Sequence, residues 1–353
     1  MLKLNEEELK MEVLKGLFTL MLVLVMFYLF STKAYKGEKA MTGLAGAAVA
    51  TFLVEAIYKY ILGDAVGIAF AVEIGKAAGS VAGIICAILV MLKMDVEFDV
   101  AAATGAAVFG FGILPGFVAG YLLAIVYDKL KGKLNDTLKL ISILLLFVPL
   151  ARFIAVLVNP IVTKALTDIG VTIVNATTMS PIFMGFVLGG IITVISTSPL
   201  SSMALTAMLS LKGLPMGIGC IACVGGAFAN GMMFLKIGIK DKSKLVSLML
   251  EPLTQADLVT KNSGPLYTAS FIGGGLAGII AVLFKIKVDA PGTASSIPGF
   301  FTPFAFNDPI VVSKTLLFAI IAGILGGIIS TYAYSFVKEL KYKKSFQATT
   351  KNS

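Results

Sequence analysis

The chain has 353 residues, of which 58% are apolar and only 14% charged, with a mean hydropathy of +0.94 and a net charge of +9. A soluble domain of this length cannot bury so much apolar surface, and runs of about 18 or more apolar residues cross a ~30 Å hydrocarbon layer as helices, so composition excludes a soluble enzyme and points to an all-α polytopic membrane protein. The chain has no histidine and a single arginine, Arg152, which removes imidazole relays, His-ligated metals and bidentate phosphate clamps; no cofactor, metal or nucleic-acid partner is expected.

Residues 1–15 are amphipathic and read as a surface helix, and 16–31 as a first apolar helix. The acid-rich start (Glu6, Glu7, Glu8, Glu12) argues against a cleaved signal. Spans are predicted at 40–62 and 77–92, around an element of open type at 64–76. Residues 98–127 are too long for one helix and are expected to break at Pro115-Gly116. A basic loop (Lys129, Lys131, Lys133, Lys139) leads to a span at 140–158, ended by Pro160, and an amphipathic stretch at 161–176. Spans at 179–196 and 214–235 enclose a Ser/Pro-started element at 198–211. A second basic loop (Lys236, Lys240, Lys242, Lys244) precedes a polar interruption within 245–260, a span at 264–284, a Gly/Pro-rich stretch at 290–309 and a last span at 315–337. Residues 338–353 form a basic tail. Length allows roughly eight to ten spanning helices in one domain over 1–353. The loops at 128–139 and 236–244 and the tail are expected in the cytoplasm, where lysine is retained.

Glycines recur at helix-contact spacing: Gly112, Gly116 and Gly120; Gly274 and Gly278; Gly323 and Gly327. Such faces let helices approach closely inside one chain, and a homodimer through one of them is an open alternative. Cys86, Cys220 and Cys223 lie in apolar segments and read as buried small residues. Without tryptophan, an interfacial belt falls to tyrosines, with Tyr28, Tyr58, Tyr60, Tyr121 and Tyr127 as candidates. Glu73 and Lys76, three apart, can pair on one helical face.

Three polar interruptions carry the candidate chemistry: Ser196–Ser202, Glu251–Asp257 and Gly292–Gly299. Each combines a helix breaker with hydroxyl, amide or carboxylate groups. Irregular backbone at membrane depth is tolerated where protein buries it or water lines it, and broken helices mark transporter binding sites. The alternative is ordinary surface loops. The interruptions are expected to converge on one cavity near the midplane. Glu251, directly before Pro252, can accept hydrogen bonds from solute hydroxyls or can simply lie at an interface. The candidate solute contacts are Thr197, Ser198, Ser201, Asn230, Glu251, Gln255, Asn262, Thr293 and Ser295. For Asn230 the alternative is a helix–helix hydrogen bond.

The stretch TSPLSSMALTAMLSLKGLPMGIGCIACVGGAFANGMMF (Thr197 to Phe234), with SLMLEPLTQADLVTKNSGPLYTASF (Ser247 to Phe271) and FKIKVDAPGTASSIPGF (Phe284 to Phe300), resembles the IIC, sugar-translocating subunits of the phosphoenolpyruvate-dependent phosphotransferase system. More closely it resembles their perfringolysin-regulator-like branch. Glu251 stands where that branch has Gln, and Ser263 where it has Pro. The resemblance implies a IIC-like fold with re-entrant hairpins, a sugar-like solute, separate IIA and IIB proteins as phosphoryl donors, and a bacterial plasma membrane. It also implies that Glu251-Pro252 takes the role of the sugar-contacting Glu-Pro phrase, while the family's sugar-contacting histidine has no counterpart here. A membrane regulator that kept the fold, or a secondary transporter without phosphotransfer, are the alternatives.

Overall fold

The computed structural model describes residues 6–132, 136–198 and 201–350; Lys133, Pro199 and Leu200 of the sequence analysis, and the extreme ends of the chain, lie outside the described residues. The predicted surface helix and first span are one continuous helix, α1 (Glu6–Lys33). Next, α2 (Gly37–Ala48) runs on through two π-helical stretches, Val49–Leu53 and Ala56–Ala65, so that an apolar span reaches from Gly37 to Asp64.

The span expected at 77–92 is broken inside. Helices α3 (Ala69–Ser80) and α4 (Ala82–Lys93) meet at a 49° bend. Gly79, Ser80 and Gly83 cluster there, and glycine costs a helix about 1 kcal/mol relative to Ala. The following break also moves. Between α5 (Phe98–Ala106) and α6 (Ile113–Leu130) the chain turns at 107–112, ahead of Pro115-Gly116. Pro115 sits in the first turn of α6, where a backbone N–H has no helical partner to lose. Arg152 holds the turn from outside: its Nη1 donates to the carbonyls of Phe109 at 2.6 Å and Ala107 at 3.3 Å, and its guanidinium lies 4.6 Å from the Phe111 ring.

Pro160 does not end its helix. Helix α7 (Asp136–Met179) is 44 residues long, with Pro149 and Pro160 inside it, and absorbs the amphipathic stretch expected at 161–176. Proline is tolerated in membrane helices because neighbours re-satisfy the freed carbonyl. The second half comprises α8 (Pro181–Thr197), the short α9 (Ser202–Met208), α10 (Leu214–Lys236), α11 (Lys242–Leu250), α12 (Ala256–Lys261), α13 (Ser263–Leu283), α14 (Ser296–Phe301) and α15 (Pro309–Thr350). Among the described residues seven helices are long and apolar enough to cross a membrane, and eight if the bent pair α3–α4 counts as one span, the lower end of the length estimate. The 17-residue α8 falls just short of that length.

Glycine contacts set helix directions. A Cβ on Gly116 would lie 2.2 Å from the Gly83 carbonyl oxygen, one on Gly278 2.1 Å from that of Gly185, and one on Gly323 2.1 Å from that of Gly225. These faces therefore close α6 on α4, α13 on α8 and α15 on α10 within one chain. Gly112, by contrast, has open space around it. Because Gly327 likewise meets Ala229, α15 runs parallel to α10, while α13 opposes both. The 236–244 connection and the C-terminal end of the last span accordingly share one end of the bundle. At the start of the chain, Lys36 bridges Asp95 at 3.2 Å and Asp128 at 3.1 Å, and Tyr35 donates to Asp128, tying the α1–α2 and α4–α5 turns to the end of α6.

Two large apolar cores result. One gathers α2, α4, α5 and α6; the other gathers α8, α10 and α13. Helix α9 divides its faces between them, with Met203, Ala204 and Met208 in the first core and Leu205 and Leu209 in the second. Outward, Leu317, Ile321 and Leu325 of α15 remain 45–58% exposed, at a four-residue spacing that makes a lipid-facing stripe. Of the proposed belt, Tyr28 is 62% exposed, but Tyr60 and Tyr127 are buried among neighbouring helices. All three cysteines are free and buried.

Candidate functional site

The three interruptions touch one another. Ser202 donates its hydroxyl to the Ala294 carbonyl, linking the first to the third. Ser295 donates to Glu251 Oε2 at 3.2 Å, linking the third to the second. Each junction has a local cause. Ser201 caps α9, its Oγ accepting from the Ala204 amide at 3.2 Å. Glu251 ends α11 in extended backbone (φ −150°, ψ 93°), as the residue before a proline is driven to do. Gly292 has φ +83°, a conformation that favours glycine, and its missing Cβ would lie 3.1 Å from both Ala207 and the Phe52 ring.

The third interruption lies beside the interior of a spanning helix. Thr293 is 1% exposed; its hydroxyl donates to the Ala290 carbonyl at 2.7 Å and lies 3.5 Å from Cys220 Sγ, within α10. Gly299 faces the Cys220 carbonyl, where a Cβ would come to 2.4 Å. Glu251 itself is partly buried, so a carboxylate stands at a seam of hydroxyls and free backbone. That arrangement supplies acceptors and donors to a neutral, hydroxyl-bearing molecule.

The other candidates divide. Thr197, Asn230 and Ser270 form a buried cluster across α8, α10 and α13: Asn230 Nδ2 donates to Thr197 Oγ1 at 2.8 Å, Ser270 Oγ to Asn230 Oδ1 at 2.9 Å, and the two hydroxyls are 2.8 Å apart. Each hydroxyl has one proton. Thr197 Oγ1 also lies 2.9 Å from the Thr193 carbonyl of its own helix, so with Ser270 donating to Asn230 its one proton is shared between that carbonyl and Ser270 Oγ. All three are at most 2% exposed. Thr197 and Asn230 therefore hold helices together here, and Ser270, which sequence reasoning did not select, is their third partner. Asn230→Leu is expected to lower the thermal stability of the purified protein by about 1 kcal/mol, the membrane scale for such a bond, with solute affinity unchanged. Lost affinity at unchanged melting temperature would return Asn230 to the solute.

Ser198 donates to the Ile195 carbonyl at 2.8 Å at the end of α8. Asn262 caps α12 by donating to the Leu258 carbonyl at 3.0 Å. The half-buried Gln255 amide makes no hydrogen bond among the described residues. A separate cavity of about 210 Å³ lies between α6, α7 and α9, lined by Pro115, Asn159, Thr163, Thr167, Met208 and Ser210.

Residues 38–349 match the family described as Phosphotransferase system, EIIC. The chain belongs to that family. Comparison with curated proteins and with solved structures finds no match. The EIIC match spans both cores and all three interruptions, so the seam at Glu251 and Ser295 lies within the family's own region. This EIIC chain is a multi-pass membrane protein of the phosphotransferase system, a class of transporter subunits for sugar-like solutes.

Proposed function

We propose that this EIIC chain translocates a sugar-like solute whose hydroxyls are held at the seam of the three interruptions by the partly exposed Glu251 and Gln255, with the buried Ser295 and Thr293 hydroxyls backing the seam. The observation that carries this reading is the Glu251–Ser295 contact, which brings a carboxylate at a broken helix against the equally broken start of α14. A carboxylate accepts several hydroxyl hydrogen bonds at once and discriminates strongly against solutes that lack them. Phosphoryl transfer would come from separate IIA and IIB proteins, since this chain has no histidine and its cysteines are buried. The ordered phrases around Ser247–Pro252 and Gly292–Ser295 support a place in the perfringolysin-regulator-like branch. A homodimer would use a face other than the three glycine faces, which are filled within the chain.

The test is the purified protein with a panel of hexoses, pentoses and hexitols. A specific member should raise the melting temperature, by about 2.7 kcal/mol of stabilisation at a hundredfold excess over Kd. With labelled phosphoenolpyruvate and the general phosphotransferase proteins, label should reach sugar only when IIA and IIB are added, and never this chain. No stabilisation by any member overturns the reading.

We further propose a bacterial plasma membrane with the 128–139 and 236–244 connections in the cytoplasm. The shared end of α10 and α15 supports placing the 236–244 connection on the side of the basic tail, and lysine density supports the same side for 128–139. In a cysteine-free background, Lys131→Cys and Lys240→Cys should resist an impermeant thiol reagent on intact cells and react in lysates. Labelling of either on intact cells refutes that orientation.

A further inference from the structure

Glu55 and Lys59 lie inside the span Gly37–Asp64, where ionisable residues are costly and mark functional sites, and they flank or occupy π-helical turns, which recur at such sites. Lys59 Nζ is 3.1 Å from Glu55 Oε1 and 3.1 Å from the Tyr60 hydroxyl oxygen, and 4.6 Å above the Tyr60 ring. The expected pair in this half, Glu73 and Lys76, is not formed among the described residues, so the ion pair has moved from α3 into the facing span. Two glycines of α3 make room for it. A Cβ on Gly79 would lie 2.3 Å from Glu55 Oε2, and one on Gly75 2.5 Å from the Lys59 amide nitrogen.

The wide winding gives this segment two faces. Glu55, Lys59 and Gly63 meet Gly79, Gly75 and Val72 of α3. Phe52 and Tyr60 turn instead to the third interruption and the turn beyond α14: Phe52 lies against Gly292, and the Tyr60 ring is 5.8 Å from that of Phe306. Lys59, bonded to Tyr60, joins the faces. The pair is also not sealed, with the Lys59 and Glu55 side chains 25% and 19% exposed. A charged donor and a charged acceptor thus stand at the flank of the junction between the first half of the chain and the segment that carries Thr293 and Ser295.

We propose that Glu55 and Lys59 are a second set of solute contacts, supplied by the first half, that recognises a vicinal diol. One hydroxyl donates to the Glu55 carboxylate while its neighbour accepts from the Lys59 ammonium, so the 3.1 Å pair matches the polarity of adjacent hydroxyls and rejects solutes with only one. This rests on the proposed solute reading and adds its second wall.

The experiment uses the full chain and the tritiated hexose, pentose and hexitol panel. Glu55→Gln and Lys59→Met should each weaken binding of the stabilising member about tenfold, the loss of one charge-assisted hydrogen bond. The 1-deoxy or 2-deoxy form of that sugar should lose less affinity in these variants than the parent. Tyr60→Phe, which keeps the ring, guards against misfolding and should weaken binding less. Independently, Lys59→Cys in the cysteine-free background should react with a water-soluble thiol reagent in vesicles, about threefold more slowly under saturating sugar if the contact is direct, as occlusion requires. Unchanged Kd in Glu55→Gln and Lys59→Met, or a Lys59→Cys rate unaffected by sugar, overturns the proposal. If Glu251→Gln loses affinity while these variants keep it, only the second wall falls; if no panel member binds the wild type, both readings fall.

Discussion

Replacing Glu251 by Gln is expected to weaken solute binding by about 1–3 kcal/mol, roughly a 5- to 150-fold rise in Kd. The amide keeps one acceptor oxygen for the Ser295 hydroxyl, so the seam between α11 and α14 survives and the melting temperature without solute should move little. What the variant loses is the negative charge and the second acceptor, both of which the proposed contact with a hydroxylated solute requires. The measurement is equilibrium dialysis of the labelled sugar that stabilises the wild type, with thermal unfolding as the control for folding. An unchanged Kd shows that Glu251 only ties helices together, and moves the site elsewhere.

A larger effect on stability is expected from Gly323→Val. A Cβ there meets the Gly225 carbonyl oxygen at 2.1 Å, its carbon at 2.7 Å and its Cα at 2.8 Å, all of them backbone atoms of the central helix α10. Rotamer changes cannot relieve that contact, so α15 must move off α10. Overpacking of this kind costs about 1–3 kcal/mol or more, and the branched side chain places it at the upper end. Gly264→Ala is the matched control, because nothing lies within 4 Å of its Cβ and it sits in α13; it should be neutral or stabilising by about 0.4–1 kcal/mol. Thermal unfolding in one detergent compares the two. Equal melting temperatures would show that the α10–α15 approach does not carry the fold.

Helix content and several spans were legible because burial in lipid writes a long, one-sided signal into composition. The predicted spans at 214–235 and 264–284 match α10 and α13 within a residue or two. Breaks were harder to place. Pro115 and Pro160 look like helix ends in a sequence, yet one starts a helix and the other lies inside one, because a missing N–H matters only where a bond was due and no neighbour replaces it. Glycine spacing announced close helix contact but not its partner; that Gly323 meets Gly225, and not a second copy, is a tertiary fact.

For the site, the residue types and their places at broken helices came from the sequence alone: a carboxylate before a proline, hydroxyls after a helix end. Apolar runs and breakers are local properties, and 1.5 Å per residue converts them directly into spans and interruptions. Which hydroxyls meet depended on how α8, α10 and α13 close on one another. Asn230 and Thr197, 33 residues apart, are neighbours only through that closure and find Ser270 there, while Glu251 and Ser295, 44 residues apart, meet through the fold of α11 and α14. Hydrogen bonds act over about 3 Å, whereas hydropathy acts along the chain, so the sequence determined what each segment carries and the tertiary structure decided which polar groups meet one another.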